Sequence, residues 1–561
     1  MNIVKSKFKF DYKLILVLCG GFIFRLYGID WDNWLQLHPD ERMLMMVADG
    51  IRIFDKLNPN FFNYGSLPIY LLKAISQLIN FFTAQYQISI LMIARYLSLF
   101  FDLGTAIMLY LNCLYLFKEK RIALFACFFY IIAFFPIQSS HFFTVDTILT
   151  FFITLLIYLL LVFVSGTHHK NITLILIALT FSAMMATKIS AIIFLPIIIW
   201  LLIFNSRPVV NLFYFGILFC IFFFIFMPYA ILDYKTFLSS IELQLKMNSD
   251  PYIFPYTLQY VGTVPYLYYL KNIFLWGMGP LISVLSIIGF YKLIYILIKN
   301  YIPQLNYKTW NIKHETFLIM LYVTCYMFYF LVIGRSAVKF MRYMLPFYPF
   351  IAVLAAYGIF QVQKYLVKFK IFTHIILTGC IIWTLLFINI FSQTHTRISA
   401  TDWIISNIPI NSRIAVEHWD DKLPLTNIEK YQIIELPLYD QPDNDIKWTS
   451  INKKLEQSDY LIIASNRLFT PLSKLDNCQK YKYCYPKTAG YYKKLFNGQL
   501  GYKKVAEFKI SPHLKIACPK LCRNGYWKLV IDDSTADESF TVYDHPQILI
   551  FKKFGQLKTP I

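Results

Sequence analysis

Long apolar segments fill the first 390 or so residues of this chain. They include the runs LILVLCGGFIF, ILTFFITLLIYLLLVFV and AIIFLPIIIWLLIF, and they fit bilayer crossings of roughly 20 residues each. Only 15% of the 561 residues are charged, whereas soluble proteins have nearer to a quarter. The sequence therefore predicts an α-helical protein that crosses a membrane several times.

The basic residues of this chain are spread among the apolar segments. Its net charge is +21, but nucleic-acid binding would need a basic patch or stripe. Here Lys and Arg lie mostly in short loops, so we expect membrane lipids and not nucleic acid as partners. The first apolar segment ends in FRLYGIDWDNW without a small-residue cleavage site, so we expect it to remain as a span.

The hydropathy falls after about residue 392. Beyond it, SRIAVEHW, YQIIELPL and DYLIIASN have the pattern of short strands. ATDWIISNI, TSINKKLEQ and TAGYYKKLFNGQLG have the pattern of helices. The sequence predicts a membrane domain at 1–392 and a water-soluble α/β domain at 393–561.

The basic loops indicate the topology, because short basic loops favour the cytoplasm. They lie at 117–121, 166–171, 205–208, 299–314 and 363–370. Placing them and the N-terminus in the cytoplasm predicts about eleven spans, with the C-terminal domain extracytoplasmic. The predicted spans are 13–29, 90–116, 121–138, 144–165, 172–187, 189–204, a seventh ending by 231, 273–298, 316–333, 343–362 and 371–391.

One further apolar segment, 66–84, does not fit this scheme as a span. A crossing there would move the basic loop 117–121 to the outside. Lys73 and Gln77 also interrupt the segment. We therefore expect a helix at the outer membrane interface.

With this topology, ionisable residues from separate segments meet on the outer side. Such groups are costly near membrane depth and usually face a cavity, a partner or a substrate. Together, the acids and cations suit a proton acceptor and a phosphate-bearing substrate. These residues are His38, Asp40, Glu41, Arg42, Arg95, His141, Asp146, Lys188, Lys339 and Arg342.

Several of these residues also have a structural explanation. Asp40 and Glu41 open a helical run, where acids favour the helix dipole. The lysines and Arg342 can extend to the lipid headgroups, and His141 fits a hydrogen-bonded core residue. Elsewhere, Arg25 and Asp102 in the first two spans are expected to pair for structural reasons.

The order of several motifs gives a resemblance to a known family. Residues 10–392 resemble the polyprenyl-phosphate-sugar-dependent glycosyltransferases of the GT-C superfamily, and among them bacterial members of glycosyltransferase family 39. These are akin to dolichyl-phosphate-mannose protein mannosyltransferases and to the lipid A aminoarabinose transferase. The motifs are HPDE, NYGSLPIYLLKAI, ARYLSLFFDLGTAIMLYL, FFTVDTILTFFITLLIYLL, ATKISAIIFLP and KFMRYMLPFYPFIAVLAAYGI.

The resemblance implies a hexosyltransferase of the cell (inner) membrane, with no cofactor. It would transfer a sugar, with inversion, from a polyprenyl-phosphate donor to a hydroxyl of an exported lipid, glycan or protein. Asp40 is implied as the general base, with Glu41 as a second catalytic residue. The implied substrate-binding residues are His38, Arg95, His141, Asp146, Lys188, Lys339, Arg342 and Tyr343.

The outer loop 232–272 departs from the eukaryotic members of this group, because it has no inserted module. That difference counts against a protein acceptor. The loop is either a mobile gate or a packed connection shaped by its prolines.

Two other functions remain open at this point. A transporter or flippase of anionic lipid-linked sugars would use the same cations, but transporters tend to have internal repeats and broken helices near the midplane. We find no repeat, and the charges cluster on one side. A receptor or assembly protein would leave the outer charge cluster unexplained.

A metal site is the less favoured explanation of the outer residues. His38, Asp40, Glu41 and His141 lack the spacing of a known ligand motif, so a divalent metal is not expected.

Four cysteines lie in the C-terminal domain, at positions 478, 484, 518 and 522. An even number in an oxidising compartment predicts two disulfides, with three possible pairings. A four-Cys zinc site fits this spacing less well.

Overall fold

The computed structural model describes residues 11–83, 88–166, 170–301, 314–365, 370–518 and 526–555. Contacts divide the chain into two compact units. The membrane unit comprises Met1–Ile29, His38–Leu245 and Val264–Leu385. The α/β unit comprises Asp30–Leu37, Lys246–Thr263 and Leu386–Ile561. The division predicted at 392/393 lies in the α/β unit, close to where that unit resumes at Leu386.

The first part of the chain is helical throughout its described length, apart from short connections. Its helices are α1 (Tyr12–Leu26), α2 (Pro39–Gly50), α3 (Leu67–Phe82), α4 (Ile90–Phe117), α5 (Lys120–Ile131), α6 (Phe134–Ser140), α7 (Val145–Val164), α8 (Lys170–Met185), α9 (Leu195–Ile203), α10 (Pro208–Phe226), α11 (Tyr229–Leu232), α12 (Tyr234–Ser249), α13 (Leu267–Asn272), α14 (Pro280–Tyr301), α15 (His314–Gly334), α16 (Tyr348–Tyr365) and α17 (Lys370–Ile388). Short 3-10 or π turns are Ile189–Phe194, Pro255–Tyr260, Ile273–Gly277, Met341–Phe347 and Asn389–Ser392.

The polytopic membrane fold predicted from the sequence is confirmed. Each of the eleven predicted spans contains helix. Among the described residues, seven helices are long and apolar enough to cross a membrane, or eight if the bent pair α5–α6 counts as one crossing. The helices α1, α8 and α9 are shorter, with 15, 16 and 9 residues. Three of the basic loops used for the topology, at 166–171, 299–314 and 363–370, lie largely outside the described residues.

At least three predicted spans are broken beside a proline. The chain bends by 59° between α5 and α6, where Pro136 follows the break. Pro196 lies at the start of α9 after a 3-10 turn, and Pro346 lies in the 3-10 turn before α16. Proline has no N–H, and its ring clashes with the carbonyl four residues earlier, so a continuous helix is disrupted there.

The helices α14 and α16 pack closely through two glycines. A Cβ added at Gly289 would lie 1.8 Å from the carbonyl oxygen of Leu354. One added at Gly358 would lie 2.1 Å from that of Leu285. Small residues allow membrane helices to approach at backbone distance, and such packing drives helix association in lipid.

A buried ion pair joins α1 to α4, as the sequence predicts. Arg25 Nε donates to Asp102, whose other oxygen accepts from the Tyr130 hydroxyl at 2.6 Å. Arg25 also donates to the carbonyl of Ile131 at 3.1 Å. Each charge therefore has partners, which a charged group needs in a membrane interior.

The α/β unit has a five-stranded sheet in the order β2-β1-β3-β7-β4 and a separate two-stranded hairpin, β5–β6. The strands β1, β2 and β3 are parallel, whereas β7 is antiparallel to both β3 and β4. The elements are α18 (Thr396–Asn407), β1 (Arg413–Glu417), a 3-10 turn (Ile428–Lys430), β2 (Gln432–Leu436), α19 (Asp445–Gln457), β3 (Tyr460–Ile463), α20 (Phe469–Lys474), α21 (Pro486–Phe496), β4 (Tyr502–Phe508), β5 (His513–Ala517), β6 (Tyr526–Val530), α22 (Glu538–Thr541) and β7 (Ile548–Lys553).

The three predicted strands and three predicted helices of this unit are confirmed. The sheet buries apolar side chains on both faces. One cluster includes Trp448, Ile451 and Tyr491, and the other includes Ile404 and Leu423. Burial of such side chains contributes roughly 1.5–3 kcal/mol each to folding.

Part of the outer loop 232–272 is packed into the α/β unit. Leu258 is buried in one of the apolar clusters of this unit. The Tyr439 hydroxyl donates to the carbonyl of Tyr252 at 2.8 Å, and Gln259 donates to Glu538 at 3.0 Å. The segment 246–263 is therefore a packed connection, the second of the two options that the sequence left open.

Cys478 and Cys484 form a disulfide, which excludes the four-Cys zinc site. Cys518 is also disulfide-bonded, and Cys522 lies outside the described residues. Within the described ranges, no three His, Cys, Asp or Glu side chains are arranged as metal ligands.

Candidate active site

Asp40 lies in the first turn of α2. His38 caps this helix, because its Nδ1 accepts the backbone N–H of Glu41 at 3.4 Å. Pro39 occupies the first position, where its missing N–H costs no hydrogen bond. The positive end of the helix dipole favours the ionised form of a carboxyl group in this turn.

The two oxygens of Asp40 have different partners. Arg342 Nη1 forms an ion pair with Oδ2, and the Tyr64 hydroxyl donates to Oδ1 at 3.2 Å. Arg342 Nη2 lies 3.4 Å from the same hydroxyl. Tyr64 and Arg342 therefore hold the carboxylate in one orientation.

Arg342 also connects Asp40 to a second acid. Its Nε lies 3.8 Å from Oδ2 of Asp146, which is in the first turn of α7. Lys188 Nζ donates to Oδ1 of Asp146 at 2.7 Å. Two acids and two cations thus alternate in the order Asp40, Arg342, Asp146, Lys188, and we call these four residues the ion chain.

Aromatic rings border the ion chain. Lys188 Nζ lies 4.4 Å from the centre of the Tyr343 ring, and Arg342 Cζ lies 4.9 Å from that of Phe340. Such cation–π contacts favour a fixed cation position where water is scarce. The Tyr329 hydroxyl donates to the backbone carbonyl of Tyr343 at 2.6 Å, which fixes this segment against α15.

Three of the four residues of the ion chain are partly exposed. The side chain of Asp40 is 24% exposed, whereas that of Asp146 is 2% exposed. Arg342 and Lys188 are each 15% exposed. A reactant can therefore reach Asp40 and the two cations, whereas Asp146 is buried and contacts both cations.

A glycine contact joins the segment of Tyr64 to that of Lys188. The backbone N–H of Gly65 donates to the carbonyl of Thr187 at 3.0 Å, and that of Leu67 donates to Ala186 at 3.0 Å. A Cβ at Gly65 would lie only 1.9 Å from the Ala186 oxygen. Only glycine allows this approach, which brings Tyr64 and Lys188 to the same site.

Lys339 is three positions before Arg342 in the sequence, and its side chain is buried. It does not join the ion chain. Its Nζ donates to the carbonyl of Ala337 at 2.9 Å, and no carboxylate within the described ranges is hydrogen-bonded to it. Burial lowers the pKa of Lys339 from its ordinary value, since an uncompensated ammonium is disfavoured away from water.

Glu41 follows Asp40 in the sequence, but its side chain has different partners. It accepts from Arg95 Nη2 at 2.7 Å and Nε at 3.0 Å, and from the backbone N–H of Phe143 at 2.9 Å. Arg95 also donates to the carbonyl of Ile29 at 2.8 Å. Both ionised side chains are fully buried. This pair holds α2 to α4, so its geometry fits positioning better than contact with a substrate.

The two predicted histidines lie in the packed interior. His141 has ring nitrogens 2.8 Å from the carbonyl of Ile137 and 2.9 Å from that of Tyr27. The ring of His38 lies 4.7 Å from that of Phe142. These contacts make His141 a hydrogen-bonded core residue, as the sequence also allowed, and His38 a helix cap.

The structure thus brings together four of the predicted ionisable residues, with Tyr343 beside them. It leaves Glu41, Arg95, His38, His141 and Lys339 outside the ion chain. Sequence reasoning missed Tyr64, Gly65 and Phe340 as site residues. A signal for the first two was present, because both lie in the NYGSLP motif, which contributed to the family resemblance without a residue role.

No protein-family model matches this chain, and no curated protein matches it in sequence.

Solved structures show a similar fold. The archaeal oligosaccharyltransferase AglB from Archaeoglobus fulgidus, in complex with an inhibitory peptide and a dolichol-phosphate, has a TM-score of 0.51 and 11% identity. That match covers 93% of this chain and 74% of AglB. ArnT from Cupriavidus metallidurans, bound to undecaprenyl phosphate, has a TM-score of 0.48 and 10% identity, over 82% of this chain and 94% of ArnT. The fold is that of a polytopic membrane protein of the GT-C type.

Proposed function

We propose that this protein is a membrane glycosyltransferase that transfers a sugar from a polyprenyl-phosphate donor to an acceptor hydroxyl, with inversion at the anomeric carbon. The observation that carries this proposal is the ion chain, in which a partly exposed acid at a helix start lies beside two cations. The GT-C fold supports it, since AglB has a similar fold and its structure contains dolichol-phosphate.

Asp40 is the general base in this proposal. Its carboxylate accepts the proton of the acceptor hydroxyl while that oxygen forms a bond to the anomeric carbon. The bond from that carbon to the phosphate oxygen breaks on the opposite face. A well-placed base contributes about 10²–10⁴-fold to the rate. Tyr64 and Arg342 keep the Asp40 carboxylate oriented before the acceptor arrives.

The cations stabilise the leaving group, polyprenyl phosphate, whose negative charge grows as the bond breaks. Arg342 and Lys188 are balanced by Asp40 and Asp146, so the ion chain has no net charge. Lys339 adds a cation that, among the described residues, has no hydrogen-bonded carboxylate. A site with this surplus favours a phosphate diester over a neutral sugar, and preorganised cations are an effective means of stabilising such charge.

Arg342 changes its partner in this proposal. Without a donor it is paired with Asp40. A donor phosphate competes for the guanidinium, and the Asp40 carboxylate is then available to the acceptor hydroxyl. Asp146 keeps Lys188 and Arg342 in place throughout. Substrate binding therefore assembles the active state from residues already in contact.

The remaining predicted residues support the site from a distance. We propose that Glu41 and Arg95 position α2 and thereby Asp40, and that His38 does so as the cap of that helix. His141 stabilises the turn before α7 through its hydrogen bonds, and α7 contains Asp146. Tyr343 borders Lys188 and forms a wall of the donor site.

We further propose that transfer takes place on the extracytoplasmic face of the cell membrane, with the N-terminus in the cytoplasm. The charge distribution of the loops supports this orientation. Single cysteines placed at Lys118 and in the α/β unit should react with impermeant maleimides from opposite sides of sealed vesicles. Reaction from the same side would refute the orientation.

Transfer is proposed to need no divalent metal. The carboxylates of the ion chain are each paired with a cation, and Lys188 and Arg342 are the groups proposed to bind the phosphate. Activity should therefore survive EDTA.

The direct test is an assay of purified protein in vesicles with radiolabelled polyprenyl-phosphate hexoses and a mixture of lipid A, glycan and peptide acceptors. The proposal expects free polyprenyl phosphate and labelled acceptor in equal amounts. A flippase, the alternative function, would move the intact donor across the bilayer without cleaving it. Translocation with no released polyprenyl phosphate would overturn the proposal.

A further inference from the structure

The hairpin β5–β6 has two chemically different faces. Side chains directly opposite each other in an antiparallel pair point to the same face, and the register pairs Leu514 with Leu529 and Ile516 with Trp527. These four residues form one face with no polar side chain, which we call the apolar face. The basic face consists of His513, Lys515, Ala517, Tyr526, Lys528 and Val530.

The apolar face is uncovered in the described part of the chain. Trp527 is 61% exposed, Leu529 is 45% exposed and Ile516 is 42% exposed. All five residues of β6 are exposed. An isolated two-stranded hairpin is marginally stable in water, and a contiguous exposed apolar surface usually marks an interaction site.

The base of the hairpin lies next to the end of a membrane helix. Asn389 directly follows the last residue of α17, a helix apolar enough to cross the bilayer. Its side-chain amide donates to the carbonyl of His513 at 2.9 Å and lies 3.0 Å from the ring Nε2 of His513. The first residue of β5 is thereby hydrogen-bonded to the residue that directly follows this helix.

We propose that the hairpin β5–β6 is a membrane-surface anchor whose apolar face is inserted into the interfacial layer of the bilayer. Three observations support lipid as the occupant. The hairpin starts beside the residue that follows an apolar helix long enough to span the bilayer, its apolar face has a tryptophan, and a tyrosine and two lysines lie on the other face. Trp and Tyr favour the membrane–water interface, and Lys side chains extend to anionic headgroups.

The basic face adds an independent argument for lipid. Lys515 and Lys528 lie directly opposite each other, an arrangement that is unfavourable in water because like charges repel. The Lys515 ammonium also lies 5.4 Å from the centre of the Tyr526 ring. Anionic headgroups around the hairpin would relieve the repulsion. This anchor would fix the α/β unit to the bilayer whether or not the protein transfers sugars.

The test uses the full-length protein, with the exposed free cysteines Cys19 and Cys220 replaced by alanine, in vesicles of phosphatidylcholine and phosphatidylglycerol. Nitroxide labels are placed singly on the apolar face at 516, 527 and 529. Matched labels are placed on the basic face at 515, 526 and 528. Collisions with lipid-soluble oxygen and with a water-soluble nickel chelate are compared at each site.

The ratio of oxygen to nickel accessibility should be severalfold higher at 527 and 529 than at 526 and 528, so that it alternates along β6. Nickel accessibility equal on both faces would overturn the proposal. Protection of the apolar face from both reagents would also overturn it, because a protein partner or a second copy would then cover that face.

A conservative variant tests insertion without labels, because a label could disrupt the hairpin. Brominated lipids quench nearby tryptophans, so the quenched fraction of the fluorescence should fall in Trp527→Phe. The control Trp448→Phe removes a fully buried tryptophan of the same unit and should not reduce the quenched fraction. No difference between the two variants would contradict insertion.

Discussion

Two neighbouring acids have opposite environments in this protein. Asp40 is partly exposed and contacts Tyr64 and Arg342, whereas Glu41 is buried and forms an ion pair with Arg95. Successive residues of a helix point about 100° apart, so one side chain reaches the site and the other reaches the packed interior. The sequence pattern pointed to both acids, but only the orientation of the helix shows that Asp40 faces the partly exposed ion chain and that Glu41 faces the packed interior.

The hydroxyl of Tyr64 should matter for catalysis through its hydrogen bond to Asp40. Tyr64→Phe keeps the ring and removes that bond, which for a charged partner is worth about 1.5–3 kcal/mol. We expect kcat/KM for transfer to fall by about tenfold or more. Tyr70→Phe on α3 is the control, because its hydroxyl donates to the carbonyl of Leu57. Equal activities in the two variants would argue against the role of Tyr64.

The charge of Lys339 should make donor binding sensitive to alkaline pH. Burial lowers the pKa of Lys339 from 10.5, so its ammonium loses the proton at a lower pH than an exposed lysine does. The KM for the donor should therefore rise as the pH increases toward 10. Lys339→Arg keeps its charge, because guanidinium has a pKa above about 12, and should move that rise to higher pH. Identical KM profiles for the two proteins would exclude Lys339 from phosphate binding.

At the scale of elements, the apolar segments predicted where helices lie but not where they break. Pro136 and Pro196 were visible signals, yet a run such as IIAFFPIQSS satisfies a hydropathy window across its proline. The breaks have consequences for the site, since they place Lys188 and Arg342 at helix interruptions rather than within continuous spans. Hydropathy measures only the free energy of placing side chains in lipid. Backbone hydrogen bonding determines where a helix breaks.

The close approach of α3 to the segment before Lys188 should depend on a glycine. In Gly65→Ala, the new Cβ would overlap the Ala186 carbonyl, and the backbone has to separate. We expect a lower yield of monodisperse protein and, in the folded fraction, reduced transfer because Tyr64 moves away from Asp40. Gly50→Ala on α2 is the control, because nothing lies within 4 Å of its added Cβ. Equal yield and activity in both variants would count against this contact.

Glu417, the last residue of β1, should make the stability of the α/β unit depend on pH. Burial raises the pKa of Glu417 to about 8, although the Tyr492 hydroxyl donates to its carboxyl group at 2.7 Å. Between its ordinary pKa of 4.5 and 8, the folded state holds a proton that the unfolded chain releases. The free energy of unfolding therefore falls as the pH rises through this range.

Glu417→Gln removes this titration, so its Tm at pH 8 should exceed that of the wild type by a few degrees, with little difference near pH 4. Differential scanning fluorimetry of the full-length protein measures both. Glu435→Gln on β2 is the control, because hydrogen bonds from Lys422 and His418 lower the pKa of Glu435, and its Tm should not rise at pH 8. A wild-type Tm that stays constant from pH 5 to pH 8 would contradict this account.

At the scale of the whole molecule, the sequence predicted the membrane character, the α/β tail and the residues of the ion chain. It did not predict that Asp30–Leu37 and Lys246–Thr263 belong to the α/β unit. Those assignments depend on contacts such as Gln259 with Glu538, which are 279 residues apart. Local patterns have no information about such pairings. The same limit applies to β4 and β7, whose pairing is likewise non-local.

We propose that the ion chain is a catalytic site with Asp40 as the proton acceptor. It unites helix geometry, charge balance and the GT-C fold in one function. It also requires that the removal of a single negative charge stop the chemistry without disturbing the fold. Asp49 offers a matched comparison, since it is an exposed acid on the same helix.

The most direct measurement is the rate of polyprenyl phosphate release by Asp40→Asn, beside wild type and Asp49→Asn, at saturating donor and acceptor. We expect Asp40→Asn to remain folded and to lose at least about a hundredfold in rate, while Asp49→Asn keeps wild-type activity. Release by Asp40→Asn at the wild-type rate would contradict the account.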